Sequence, residues 1–227
     1  RLSEYEKDLV VKRDQGFTKF LLVPFGMSLD ALRKIFVRFL FDYKETHPDF
    51  GLKIDQPLWI WDDYVGGDTG DDPKLIYNPQ RLNEVHYQAR TKSWILEDQA
   101  TNPSSFPGWR VHLLQPSDPA DPDSKGFAHI PKEGKGEING QENPRPDIEA
   151  NKTRAEYFSL LQEAKDNPNS PYGHESGLTP EDWITAFITH LQETGQPLDN
   201  YRNGTERGSY LLGVLFTAST YGPCACW

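Results

Sequence analysis

Five aspartates and three glycines fall within the segment WDDYVGGDTGDD, residues 61–72. Clustered carboxylates bind divalent cations, and a calcium ion takes roughly six to eight oxygen ligands. The spacing does not match an EF-hand loop, and neither Asp62–Asp63 nor Asp71–Asp72 forms the Asp-x-Asp pair of a sugar-nucleotide transferase. Glycine tolerates positive φ and aspartate bonds its own backbone, so we predict a turn between two strands, with a bound divalent cation as the alternative.

Histidines offer a second route to a metal site. His86, His112 and His129 lie in or near predicted strands, and three histidines can hold a zinc ion that keeps an open fourth position. Their spacings are long and form no HxH or HExxH pattern, so we expect separate surface or hydrogen-bonded histidines. His174 and Glu175 lie in a glycine-flanked loop where the sequence indicates no partner. We assign no metal ligand.

The sequence contains no recognised motif for covalent catalysis. GxSxG, SxxK, a P-loop and GxGxxG are all absent from the sequence. The only cysteines are Cys224 and Cys226, and their spacing of two residues makes a disulfide between them strained. A zinc site would need further ligands, and no second cysteine pair exists. We assign no catalytic residue and no cofactor, and we lean against an enzyme.

Charge and hydropathy exclude two classes of partner. The 227 residues carry a net charge of -10, which argues against binding of a nucleic-acid backbone. No apolar run approaches the roughly 18 residues of a membrane span, and mean hydropathy is -0.70. With no visible signal peptide and no disulfide framework, an acidic, soluble protein with a cytoplasmic location is favoured. Oligomeric state is left open.

The first stretch of the chain, residues 1–115, is predicted to be a strand, a helix and then several strands. FTKFLLVPF, residues 17–25, has the apolar and aromatic composition of a buried strand. Ser28 caps the following helix, whose apolar residues recur every three or four positions. Further strands are predicted from five segments: PLWIWDDY, KLIYN, VHYQA, SWILEDQ and WRVHLLQ.

Residues 116–147 are rich in proline, glycine and charge, and we predict a linker or long loop there. The remaining stretch, 148–227, is predicted to be helix, helix and strand. Its helices begin at two capping boxes, Thr153 to Glu156 and Thr179 to Asp182. SYLLGVLF, residues 209–216, is predicted to be one buried strand.

The tail concentrates residue types that suit recognition. Tyrosine, serine and asparagine combine rigid contact area with adaptable hydrogen bonding. We therefore predict a ligand-binding surface, with an ordinary C-terminal loop as the alternative. Its predicted members are Tyr201, Arg202, Asn203, Tyr210, Thr217, Ser219, Thr220, Tyr221, Cys224, Cys226 and Trp227.

Three segments carry a family resemblance: TRAEYFSLLQ, GLTPEDWITAFITHLQETGQ and GSYLLGVLFTAS. Their order, two helices and a strand ahead of a Ser/Tyr/Cys-bearing tail, resembles the C-type-lectin-fold variable proteins of diversity-generating retroelements. It is more distantly similar to the formylglycine-generating-enzyme fold. The resemblance covers about residues 151–227 and implies a rigid platform that presents variable side chains to a partner. Those positions would be Thr217, Ser219, Thr220, Tyr221, Cys224, Cys226 and Trp227.

The sequence therefore predicts an α+β protein of two units, with a C-terminal unit resembling a C-type lectin. Its predicted function is a non-catalytic recognition module that binds a protein or small ligand through the C-terminal surface. Two alternatives belong to other classes: a metal-dependent hydrolase or transferase, and a structural subunit of a larger assembly.

Overall fold

The computed structural model describes a defined part of the chain: residues 6–51, 66–69, 73–79, 90–115, 131–133, 148, 152–167, 169–195, 197–198, 208–217 and 219–225. The helices are α1 (Glu6–Asp14), α2 (Leu29–Thr46), α3 (Lys92–Thr101), α4 (Arg154–Asp166) and α5 (Pro180–Thr194). The strands are β1 (Lys19–Val23), β2 (Leu75–Tyr77), β3 (Arg110–Leu114), β4 (Pro131–Glu133), β5 (Gly208–Tyr210), β6 (Val214–Phe216) and β7 (Cys224–Ala225). The mixed content of helices and small antiparallel sheets confirms the predicted α+β class.

Within the described part of the chain, the strands form three small antiparallel sheets. β1 pairs with β3, β2 with β6, and β5 lies between β4 and β7. In the first sheet Leu21 lies opposite His112 and Leu22 opposite Val111. Because side chains alternate along a strand, Leu21 is buried while Leu22 is exposed. The predicted strands at FTKFLLVPF, KLIYN and WRVHLLQ are thus confirmed.

The α2 helix follows its sequence signals closely. The Ser28 hydroxyl accepts a hydrogen bond from the Ala31 N–H, as an N-cap should. Phe36, on the buried face of α2, packs edge-on against Trp183 and Phe187 of α5, with ring centroids 5.8 and 5.2 Å apart. Aromatic pairs in this arrangement add about 0.5–1.5 kcal/mol beyond the area they bury.

Both predicted capping boxes form. Thr153 and Thr179 each accept from the backbone N–H three residues on, and the acidic side chain at that position accepts from the threonine N–H. Gly195 ends α5 in the left-handed region, at φ 70°. The predicted ends of α5 are therefore confirmed at both termini.

One hydrophobic cluster includes residues from both sides of the 116–147 segment. Leu21, Phe36 and Tyr77 share it with Trp183 and others, and β2 pairs directly with β6. The two stretches therefore contribute to a common core. The boundaries at 115 and 148 stay predictions, since 116–130 and 134–147 lie outside the described residues.

Two sequence predictions are wrong. SWILEDQ is helix α3, because Thr91 caps it through the Trp94 N–H and Ile95 and Leu96 pack against the core one turn after Lys92. SYLLGVLF is two strands, because the chain turns at 211–213 between β5 and β6. The segments PLWIWDDY and VHYQA lie outside the described residues. No helix among the described residues is long and apolar enough to span a bilayer.

Two glycines allow three backbone segments to lie side by side. The Asn78 N–H donates to the Gly213 carbonyl at 2.8 Å, and the Gly213 N–H donates to the Leu178 carbonyl at 2.9 Å. A Cβ on Gly177 would come within 2.4 Å of the Leu212 Cβ, and one on Gly213 within 2.6 Å of the Gly177 oxygen. These contacts leave no room for a side chain at either glycine.

Gly177→Ala is expected to lower the free energy of unfolding by at least about 2 kcal/mol, because the added methyl overlaps backbone that cannot move freely. Urea unfolding measures the change. Gly173→Ala is the milder comparison, because only one atom, at 3.3 Å, would lie closer than about 4 Å to the added Cβ. Equal stability of Gly177→Ala and the unsubstituted protein would contradict the close approach.

Candidate functional site

A wholly buried lysine lies at the centre of the molecule. The Lys92 ammonium donates to the Met27 carbonyl at 2.5 Å, to Asp68 Oδ2 at 2.8 Å and to Glu181 Oε1 at 2.9 Å. The side chains of all three charged residues are at most 1% exposed. The Tyr77 hydroxyl donates to the same Glu181 oxygen at 2.8 Å. Burial, reinforced by the nearby carboxylates, raises the pKa of Tyr77 well above 10, so it stays a donor.

This cluster explains part of the aspartate-rich segment. Residues 66–69 form the predicted turn. In it, Asp68 Oδ2 accepts hydrogen bonds from the Lys92 ammonium and from the Leu29 N–H, at 2.8 Å each. Asp68 is therefore part of a buried ion cluster that joins the turn to the start of α2 and to α3. Asp62, Asp63, Asp71 and Asp72 lie outside the described residues.

A second polar group surrounds Asp182 at the start of α5. Asp182 accepts from the Thr179 N–H at 2.8 Å and lies 2.9 Å from His112 Nε2. Arg110 is farther away, with Nη1 3.6 Å from Asp182 Oδ2. Burial alone would raise the pKa of Asp182, but the charge and hydrogen bond of His112 and the charge of Arg110 outweigh it and hold the pKa below 3.8.

Arg110 is poorly satisfied for a guanidinium of its burial. Its side chain is 13% exposed and lies over the Phe25 ring, with Cζ 3.7 Å from the ring centroid. The Nη2 atom is buried and has no hydrogen-bond partner. Arg154, by contrast, donates to the carbonyls of Gly222 and Pro223 at 2.8 and 2.7 Å. Burial lowers the pKa of Arg154 to about 10, so it is still charged near neutral pH.

Two cavities lie on either side of the segments joined at Gly177 and Gly213. The larger cavity has a volume of about 560 Å³ and the smaller about 330 Å³. Asn78, Ser176 and Gly177 line both, so the cavities adjoin, and we call them together the groove. A volume of this size suits a small molecule or a short peptide segment.

The larger cavity combines an apolar floor with paired charges. Its apolar lining consists of Leu9, Pro79, Leu113, Phe158, Leu161 and Leu212. Lys12 and Glu175 form an ion pair at 2.6 Å, and His174 Nε2 lies 3.3 Å from Asp8 Oδ1. The sequence had indicated no partner for His174 and Glu175, and that expectation is corrected here, because α1 supplies one to each.

Backbone conformation also singles out the groove. Among the described residues other than glycine, positive φ occurs at Asn78, φ 49°, and at His174, φ 62°. Both line the larger cavity. Left-handed backbone at residues other than glycine is uncommon and is concentrated at functional sites.

The predicted C-terminal surface is only partly brought together. Thr217, Ser219, Thr220 and Tyr221 lie on one turn after β6, closed by the Phe216 N–H and the Tyr221 carbonyl at 2.9 Å. Tyr221 is 65% exposed, whereas the others are half-buried. None of them lines either cavity.

The other predicted members have different surroundings. Tyr210 lies opposite Cys224 across β5 and β7, half-buried, with Arg154 Cζ 4.9 Å from its ring centroid. Cys224 is half-buried and in no disulfide. The remaining predicted positions lie outside the described residues: Tyr201, Arg202, Asn203, Cys226 and Trp227.

Within the described part of the chain, no three His, Cys, Asp or Glu side chains are grouped as a metal site. His112 lies in β3, as predicted, with Asp182 as its partner, whereas His86 and His129 lie outside the described residues. Sequence reasoning missed Arg110 as a site residue. The alternation in RVHLL carries the signal, because it places Arg110 and His112 on the core-facing side of β3.

No protein-family model matches the chain, no curated protein matches it significantly, and no solved structure matches it significantly. The resemblance to C-type-lectin-fold variable proteins therefore stays a hypothesis. The geometry of the groove and of the tail must support any function on its own.

Lys92→Met is expected to lower the free energy of unfolding by about 3–5 kcal/mol, since it leaves two buried carboxylates without their cation. Urea unfolding measures the loss. The variant that also carries Asp68→Asn and Glu181→Gln should recover part of it, because the uncompensated charges are removed. A triple variant less stable than Lys92→Met would contradict this account.

Asp182→Asn is expected to cost about 3 kcal/mol at about pH 7, because Arg110 loses its counter-charge and the single amide oxygen can replace only one of the two carboxylate oxygens that meet His112 and the Thr179 N–H. The pKa of Asp182 is lowered by folding, so its stabilisation is complete above 3.8 and is lost as the pH falls through the folded value. The difference between the variant and the unsubstituted protein should therefore shrink as the pH falls below 3.8. Urea unfolding above and below that pH tests it, and a constant difference would argue against an ionised Asp182.

Proposed function

We propose that this protein is a non-catalytic recognition protein that binds a small ligand or a peptide segment in the groove. One observation carries the proposal: two cavities, of about 560 and 330 Å³, share the wall formed by Asn78, Ser176 and Gly177. An elongated ligand crossing that wall would contact both. No bond-making step is assigned to any residue.

The wall chemistry supports recognition. An apolar floor gives binding energy, and a few placed polar groups give orientation. In the larger cavity, the Lys12–Glu175 ion pair and the contact between Asp8 and His174 supply those polar groups. Lys12 is itself fixed, because its ammonium also donates to the Pro171 carbonyl at 3.0 Å. A fixed charge loses little freedom on binding, which favours affinity.

The tail surface remains an alternative location for the same function. Its support is the exposed Tyr221 on a turn whose neighbours 222 and 223 are held by Arg154. An aromatic side chain on a fixed backbone is a good contact residue. The metal-dependent enzyme and the assembly subunit stay hypotheses, separated from the binder by metal content and by mass in solution.

Ser176→Trp is expected to weaken ligand binding at least tenfold, because Ser176 is exposed in the wall that both cavities share. The probe is 1-anilinonaphthalene-8-sulfonate, an aromatic anion whose fluorescence rises in apolar sites, titrated to saturation against folded protein. Ser93→Trp is the matched control, since Ser93 is exposed on α3 and lines neither cavity. It should bind the probe as the unsubstituted protein does.

Tyr221→Ala separates the two locations. If the groove is the site, this variant keeps probe affinity while Ser176→Trp loses it. The reverse result moves the function to the tail. Probe binding that is absent from the unsubstituted protein, or equal in all variants, would reject the groove.

A further inference from the structure

We propose that an extended peptide segment of a partner protein docks in the groove by adding a strand to the free edge of β3. This inference rests on the proposed function, because it names the kind of ligand that the groove takes. It begins from the surroundings of β3, whose only neighbour among the described strands is β1 and whose residues line both cavities.

The groove lies along one edge of β3. Successive side chains of a strand point to opposite faces, so Arg110 and His112 belong to one face and Val111 and Leu113 to the other. All four line the groove nevertheless, the first three in the smaller cavity and Leu113 in the larger. A space that touches both faces of one strand lies beyond its edge, and β1 occupies the other edge. The groove therefore runs along the edge of β3 that is opposite β1.

The backbone on this edge has no partner strand. In an antiparallel pair, the N–H and C=O of every second residue point towards the neighbouring strand, and those of the residues between point away. Among the described residues, β3 has backbone hydrogen bonds only with β1 and with Thr18, which precedes it. The groups that point away repeat about every 7 Å, twice the rise per residue. Another strand presents its own donors and acceptors at the same spacing, whereas a small molecule has no such repeat.

Strand β2 shows how the same chain covers an edge. One side of β2 is paired with β6. On the other side, the Leu75 N–H donates to the Gly67 carbonyl at 3.1 Å and the Tyr77 N–H donates to the Arg90 carbonyl at 2.9 Å. All three residues of β2 are buried, whereas in β3 only Leu114 is. The edge of β3 thus lacks the backbone cover that the edge of β2 has.

The features that usually protect an exposed edge are also missing from β3. Proteins commonly protect such edges with lysine, proline or a bulge. The sequence RVHLL contains neither lysine nor proline, and its five pairs with β1 run without a shift in register. Its permanent charge, Arg110, lies over Phe25 and near Asp182, while Val111 is 45% exposed. A regular and partly apolar edge of this kind is a template for a further strand.

The two cavities would receive side chains of the added strand. In strand addition, main-chain hydrogen bonds give affinity and pockets for alternate side chains give specificity. The smaller cavity is lined by Phe106 and Trp109, which are 69% and 48% exposed. Gln99 holds their loop, donating to the Trp109 carbonyl and accepting from the Gly108 N–H, both at 3.0 Å. With the apolar floor of the larger cavity, these rings favour a segment that carries apolar side chains at alternate positions.

The probe is a defined pool of acetylated heptapeptide amides in which threonine alternates with a variable residue, either Val, Leu, Ile, Phe or Trp. Threonine and the variable residues all favour the extended conformation or fill apolar pockets. The immobilised protein is expected to retain some members of the pool, which mass spectrometry identifies. Calorimetric titration then measures the affinity of the best-retained peptide.

Methylation of the peptide backbone separates strand addition from binding through side chains alone. The best-retained peptide is made in two forms, N-methylated either at its apolar residues or at the same number of threonines. Successive N–H groups of a strand point to opposite edges, so only one form loses the N–H groups that face β3. That form should bind at least tenfold more weakly than the unmethylated peptide, while the other keeps its affinity. Equal affinity of the two forms would overturn the inference, and this comparison needs no protein variant.

A pair of protein variants locates the edge. Val111→Lys should weaken binding of the same peptide at least tenfold, because lysine protects edge strands against further pairing. Leu22→Lys is the matched control: Leu22 lies opposite Val111 in β1, is 59% exposed and lines neither cavity. It should bind the peptide as the unsubstituted protein does. An equal loss in both variants, with both folded by urea unfolding, would overturn the assignment to the β3 edge.

A pool from which no peptide is retained would also overturn this inference. If the fluorescent probe still binds and Ser176→Trp still weakens that binding, the groove function survives without strand addition. If the fluorescent probe fails as well, both fall together. A dimer in solution that Val111→Lys converts to a monomer would assign the edge to a second copy of this chain and overturn the docking of a partner segment.

Discussion

The fold depends on the buried ammonium of Lys92. It is held by a carbonyl before α2, by a carboxylate from the 66–69 turn and by a carboxylate from α5. Two carboxylates around one ammonium leave excess negative charge, which the Tyr77 hydroxyl partly offsets by donating to Glu181. Removing one partner of such a cluster is strongly destabilising, because it leaves a buried charge uncompensated.

The groove follows from that arrangement. Glu181, which holds Lys92, is followed by Asp182, which orients His112 and lies near Arg110 in the smaller cavity. The first turn of α5 thus joins the ion cluster to the wall of the groove. On the other side, Gly177 and Gly213 hold the segments that separate the cavities at backbone contact distance. The site is therefore defined by rigid parts of the molecule.

Local signals predicted much of the helical structure, because caps and apolar periodicity act over a few residues. Ser28, Thr153, Thr179 and Gly195 all behave as their types suggest. The strand prediction for SWILEDQ was wrong. The strand propensity of Trp94 and Ile95 is outweighed by the Thr91 cap and by the ion pairs of Lys92 with distant segments. Tertiary contacts of this kind override local propensity.

The site was less predictable than the fold. Arg110, Asp182 and Ser176 come from different parts of the chain, and nothing in their local sequence shows that they meet. The tail, in contrast, attracted the sequence-based prediction by composition alone. Composition shows which residue types could bind a ligand. The position of a cavity, in contrast, depends on which backbone segments are brought together in the folded protein.

The pairing of β2 with β6 has a consequence for how the chain folds. These strands come from distant parts of the sequence and lie together in the common core. Contacts of such long range slow folding, because closing a large loop costs chain entropy before any contact repays it. During synthesis the Phe36 face of α2 must wait for α5 and β6 to emerge, so the nascent chain exposes apolar surface for longer than a protein with local contacts would.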